Sequence, residues 1–118
     1  MARRLFWIFG LILVLSYFGA CAPSQEARKK ESEAIRSIGE AYMIQGSYSQ
    51  ALGKLLEAEK IYADDHILQN YLGLAYLNNN KVDLAITHFE RAVQLNPSYA
   101  PAYNLSLIHI SEHTRPTT

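Results

Sequence analysis

Four histidines, the Asp64-Asp65 pair and a single cysteine, Cys21, are the side chains of this 118-residue chain whose types could carry chemistry. Histidine and carboxylate together bind metals or move protons, and a thiolate is a nucleophile, a ligand or an acyl acceptor. Spacing removes most of these options. His66 and His88 stand twenty-two residues apart, with no cysteine or clustered carboxylate to complete a metal set, and both read as surface residues. Asp64 and Asp65 directly precede a helical stretch, where a carboxylate caps free amides instead of forming an acid pair. No Gly-rich phosphate loop or nucleophile motif occurs. The residues thus predict no catalytic group, no metal site and no cofactor, and the chain reads as a non-enzyme.

The elements that must position such side chains begin with an unusual N-terminus. Arg3 and Arg4 precede an apolar run from Leu5 to Leu15, extended through Phe18, which is the layout of an export signal. Leu5 to Phe18 is fourteen residues, fewer than the roughly 20 that a bilayer-spanning helix needs. Phe18 is too bulky for the small-x-small pattern of ordinary signal cleavage. Phe18-Gly19-Ala20-Cys21 instead resembles the lipobox of bacterial lipoproteins, with Phe18 where leucine is usual. That resemblance implies that residues 1–20 are a lipoprotein signal peptide and that Cys21 is lipidated, carrying acyl chains of the palmitate class. Ala22, rather than aspartate, implies the outer membrane, facing the periplasm. Lipidation would also remove the liability of an unpaired thiol in an oxidising compartment.

Positive and negative charges balance, eleven of each, so no basic field invites nucleic acid. Residues 21–31 read as a tether running into a first helix: Pro23 breaks continuity, Ser24 can cap, and Gln25 to Ser37 is rich in helix formers. The basic run Arg28-Lys29-Lys30 is interleaved with glutamates and reads as a solvated helix face.

Beyond the tether the chain repeats at an offset of thirty-four residues. Ile35, Ile38, Gly39, Tyr42, Ala51, Leu55, Ala58 and Ile61 are answered by Gln69, Leu72, Gly73, Tyr76, Ala85, Phe89, Ala92 and Leu95. Only the first pair changes class, apolar Ile35 against polar Gln69. Each unit shows two stripes at three-four spacing, predicting a pair of antiparallel helices whose stripes face a shared seam. Gly39 and Gly73 lower helix propensity by up to about 1 kcal/mol relative to alanine, so the partner helix is expected to approach closely there. Gln45-Gly46-Ser47 and Asn78-Asn79-Asn80 supply the turns, and Asn96-Pro97 ends the last helix. The tyrosines fall mainly at packing positions or turns, as core rather than as a stacking platform for bases.

Leu72-Gly73-Leu74-Ala75-Tyr76, Ala85, Phe89, Ala92 and Pro97 carry a resemblance to the tetratricopeptide repeat. The first unit keeps the frame through Ile38-Gly39-Glu40-Ala41-Tyr42, Gly46, Tyr48, Ala51 and Ala58, with Leu55 at the aromatic position and Ala63 where proline is usual. The resemblance implies an all-α fold, a solenoid of antiparallel helix pairs with a concave groove lined by the first helix of each pair. It divides the chain into a first repeat at 32–65, a second at 66–99 and the start of a third at 100–104. Residues 105–118 leave the frame. Leu105 to Glu112, with Thr114-Arg115, resembles the translation of a sequencing-library adapter, His113 replacing its proline. This tail implies a truncated fragment; the alternative is a divergent capping helix.

Helical geometry places Glu33, Arg36, Glu40 and Met43 of the first repeat, and Ile67, Asn70, Leu74 and Leu77 of the second, on the side of each first helix turned away from its partner. The surface is charged in its first half and apolar in its second. It suits a short peptide or helix, with Arg36 and Asn70 anchoring polar groups, and it lacks the lysine and asparagine set of carboxylate-clamp repeats.

A lipobox followed by such repeats resembles the outer-membrane pilotin lipoproteins of type IV pilus biogenesis. The resemblance implies a membrane-anchored protein–protein interaction module that assists secretin assembly, with a secretin subunit and the lipid bilayer as partners. Two alternatives stay open: docking repeats of an envelope protease or glycan-processing enzyme whose catalytic domain lies beyond the truncation, and a generic envelope scaffold.

Overall fold

The computed structural model describes the backbone of residues 2–18 and 22–99 and the side chains of 2–13 and 22–98. Cys21, the expected start of a third repeat and the adapter-like tail lie outside the described residues. The described residues form helices only: α1 (Ala2–Phe18), α2 (Gln25–Ile44), α3 (Tyr48–Ile61), α4 (His66–Asn78) and α5 (Val82–Leu95), followed by a 3₁₀ turn at Pro97–Tyr99. Among them, no helix is long and apolar enough to cross a membrane.

Local chemistry sets the helix ends. Ser24 is extended at the start of α2, and its hydroxyl accepts the Ala27 N–H at 3.2 Å. At the other end Gly46 takes φ +75°, a left-handed conformation that costs glycine little. Ser47 N–H then reaches Tyr42 O at 2.9 Å and Gly46 N–H reaches Met43 O at 3.1 Å, closing the helix with the paired bonds of a Schellman motif. The same device recurs thirty-four residues later. Asn80 stands at φ +60°, with Lys81 N–H to Tyr76 O at 2.9 Å and Asn80 N–H to Leu77 O at 3.1 Å. Asparagine is among the few other residues that tolerate this conformation.

Helices α2 and α3 pack as one pair, α4 and α5 as a second, and α3 against α4 forms the seam between them. The two glycines do what their cost predicts. A Cβ on Gly39 would come within 2.8 Å of the Leu55 side chain, and one on Gly73 would overlap the Phe89 ring. Ala51, Ala58, Ala85 and Ala92 are all buried, so the paired helices approach through small residues. Leu55, Ala58, Leu68, Leu72 and Ala75 make a core that spans the seam, with Met43, Leu52, Leu56 and Tyr76 packed on it. Each fully buried leucine contributes about 1.5–3 kcal/mol, so the two repeats are held as one body.

One member of the expected stripes departs from the pattern. Ile38 is 48% exposed, whereas Leu72 at the equivalent place in the second repeat is 0% exposed. Position 72 faces the seam core formed with α3, whereas among the described residues no preceding helix packs on α2 in that way.

Candidate functional site

The surface expected to bind is built around Arg36. Its Nη1 donates to Asp65 Oδ2 at 2.7 Å, and its Nε lies 3.1 Å from Glu40 Oε1, an ion pair without hydrogen-bond geometry. The arginine and Asp65 side chains are only 14% and 10% exposed. Asp65 is placed by its role at the start of α4, where Oδ1 accepts the Ile67 N–H at 2.9 Å. One carboxylate therefore caps the second repeat and holds a cation of the first. Arg36 was expected to anchor a ligand; the structure directs its Nη1 to Asp65 within the chain.

A cleft of about 190 Å³ opens beside this pair, with Lys29, Glu33, Arg36, Asp64, His66 and Ile67 among its lining residues. Glu33, Arg36 and Ile67 of the expected surface meet there. Glu40 is partly buried beside Arg36, and Met43 packs onto the seam core instead of standing free. Asn70 is 5% exposed, so its amide is withdrawn from the surface it was expected to serve. Leu74 and Leu77 are half-buried, and they continue the apolar part of the helix face toward the α4–α5 turn.

A polar node that the sequence reading did not identify lies across the seam. Gln69 is 3% exposed; its Nε2 donates to Glu59 Oε2 at 2.9 Å and to Ala63 O at 3.0 Å. Its Oε1 therefore faces His88 Nδ1 at 2.7 Å, and His88 also lies 3.6 Å from Glu59 Oε2. The Tyr76 and His88 rings stack with centroids 5.2 Å apart. His88 is thus no surface histidine: its side chain is 16% exposed. Burial lowers its pKa below the ordinary value, with Glu59 acting in the opposite direction. His66 is also partly covered, with Nε2 3.4 Å from Asn96 Nδ2. The one polar-for-apolar change in the repeat, Gln69 against Ile35, was the available signal for this node. A buried amide needs partners, and these are the partners.

Two further contacts tie the helices around the cleft. Asp64 pairs with Arg91 at 2.7 Å on the exposed rim, and Ser32, buried on α2, donates to Ala58 O at 2.9 Å. These contacts lock helices to one another. What the surface offers a ligand is shape, the apolar side chains of α4 and a rim of mixed charge, which is the chemistry of peptide or helix recognition.

Comparison with known proteins agrees with this geometry. Residues 67–99 match the tetratricopeptide repeat family. Photosystem I assembly protein Ycf3 of Acaryochloris marina (strain MBIC 11017) is 32% identical over 91 residues, covering 73% of this chain and 54% of the relative. Tetratricopeptide repeat domain-containing protein PYG7, chloroplastic, of Arabidopsis thaliana is 36% identical over 69 residues, covering 54% of this chain and 23% of that protein. The chain therefore spans about half the length of the first relative and under a quarter of the second. With its helix pairs, its glycine-mediated close packing and the family match over α4 and α5, this chain carries a tetratricopeptide repeat fold, and such repeats generally bind protein partners.

Proposed function

We propose that this chain is a lipid-tethered, non-catalytic helper that holds a subunit of a membrane complex while the complex assembles. The observation that carries the reading is the half-buried apolar side of α4, Ile67, Leu74 and Leu77, continuing from the Arg36 cleft on one repeat face. It is a surface suited to a peptide or helix rather than to a small substrate. The tether is read from Phe18-Gly19-Ala20-Cys21, and the site of action from Ala22: the outer membrane of a bacterial envelope, on its periplasmic side. An assembly role is supported by the name of the relative Ycf3, a photosystem I assembly protein.

The client follows from two different observations. The lipobox favours a secretin subunit, in the manner of pilotin lipoproteins. The likeness to Ycf3 favours a subunit of a photosynthetic membrane complex. Affinity capture from membranes with the full chain, followed by identification of bound subunits, separates them: recovery of secretin supports the first and photosystem subunits the second. Capture undiminished by Leu74→Glu with Leu77→Glu would remove the α4 surface from the proposal. Unchanged acyl labelling and membrane partitioning in Cys21→Ser would remove the tether.

A further inference from the structure

Repeat-equivalent positions on α2 and α4 differ in kind where the two helices border one groove. Glu33 and Glu40 on α2 answer to Ile67 and Leu74 on α4, thirty-four residues further on. The two helices adjoin, and Glu33 and Ile67 line the same cleft. On each helix the second residue stands seven places after the first, about 10.5 Å along a helix axis. The groove thus has a carboxylate edge and an aliphatic edge with matching spacing. The carboxylate edge is not neutralised from within. Arg36 directs Nη1 to Asp65 Oδ2 at 2.7 Å, and its Nε lies 3.1 Å from Glu40 Oε1. Glu33 is half-buried and makes no ion pair among the described residues; Lys29, one turn earlier and exposed, does not close on it. Three carboxylates, Glu33, Glu40 and Asp65, therefore face two cations, Arg36 and Lys29, while the Asp64–Arg91 pair on the rim cancels itself. The positive end of α4 is already answered, since Asp65 caps it.

We infer that the groove takes an amphipathic helix with a basic edge. Large aliphatic side chains of this partner segment lie on Ile67 and Leu74, while lysine or arginine side chains seven residues apart reach Glu33 and Glu40. This client chemistry narrows the proposed function to one sign of charge and rests on it. A helix laid along the groove rises about 1.5 Å per residue, as α2 and α4 do, so one register meets both glutamates and both aliphatic residues. Long basic side chains suit such a border, because their methylene stems cover apolar surface while the charged end reaches a carboxylate. A neutral helix would cover Glu33 without pairing it, and an acidic one would set like charges together; both arrangements are costly.

The probe is a fluorescent designed helix, stapled on its outer face, with two leucines seven residues apart on one edge and two lysines seven apart on the adjoining edge. Titrated with the full chain in detergent micelles, it is expected to bind saturably and to weaken as salt rises. Glu33→Gln should weaken it about two- to fivefold, and Lys29→Gln should tighten it. Neither side chain is fully buried or ion-paired, so circular dichroism should be unchanged in both variants. A probe with glutamates in place of the lysines should bind poorly to the native chain and regain affinity in Glu33→Lys. No saturable binding, or affinity indifferent to Glu33, Lys29 and salt, overturns the inference, as does preference of the native chain for the glutamate probe. A probe broken by a central proline that binds equally well rules out the helix. Lysine and glutamate probes that bind alike, and are both lost in Leu74→Ser with Leu77→Ser, overturn the basic edge while leaving the α4 surface of the proposed function standing. Binding that keeps its dependence on Glu33 but ignores the Leu74→Ser and Leu77→Ser changes removes that surface and the inference with it.

Discussion

His88 Nδ1 lies 2.7 Å from Gln69 Oε1, joining α5 to α4 at the point where Glu59 of α3 also reaches Gln69. Because the Gln69 Nε2 is committed to Glu59 and Ala63 O, its Oε1 is an acceptor, and neutral His88 donates from Nδ1. Three helices from both repeats thus meet in one hydrogen-bonded chain, with Tyr76 stacked on the imidazole.

The first prediction concerns pH. Burial depresses the His88 pKa in the folded state, so between that value and the ordinary one near 6.5 the unfolded chain binds more protons. The contribution of His88 is present above the ordinary value and is lost as pH falls through the folded one. Thermal melts between pH 7.5 and 5 should show Tm falling with acidity. In His88→Gln, which keeps a donor for Gln69, that part of the slope should vanish. An identical slope in the variant would show that protonation at this node does not govern stability.

Removing either partner of the Arg36–Asp65 pair should destabilise the repeat junction, but unequally. A charge-assisted hydrogen bond contributes about 1.5–3 kcal/mol, and both side chains are largely covered. Asp65 also caps α4, a contact worth about 1 kcal/mol. Urea unfolding should therefore place Asp65→Ala about 1 kcal/mol below Arg36→Ala. Equal losses would deny Asp65 its double role.

Glycine substitutions should separate close approach from mere permissiveness. Gly73→Ala puts a methyl group into the Phe89 ring and should cost about 1–3 kcal/mol by overpacking, partly recovered by adding Phe89→Leu. Gly39→Ala meets the more pliable Leu55 side chain and should cost less. Gly53→Ala, in mid-α3 with open space around it, should gain about 0.5–1 kcal/mol from helix propensity. Denaturation midpoints of the three variants give the order directly.

The left-handed turn residues make a paired prediction. Gly46→Ala forces a Cβ into φ +75° and should cost about 1 kcal/mol, although the added methyl group would meet no neighbour. Asn80→Gly at φ +60° relieves the same strain and should be neutral or slightly stabilising. A loss at Asn80 matching that at Gly46 would mean that its side chain, rather than its backbone, holds the turn.

The amino-acid sequence by itself determined the period, the helix pairs, their turns and the residues across which they pack. Those are local or translational properties: spacing sets the buried stripe, glycine and asparagine set the reversals, and Gly39 and Gly73 announce close approach before any partner is seen. Only the tertiary structure decided which polar groups are used up. Arg36 looks free on a helical wheel and is held by Asp65, twenty-nine residues away; Asn70 is buried, and His88 is drawn into the seam. The exposure of Ile38 was equally out of reach, since its equivalent, Leu72, is buried. A repeat fixes what each residue can face, and only its neighbours in space decide whether anything is there.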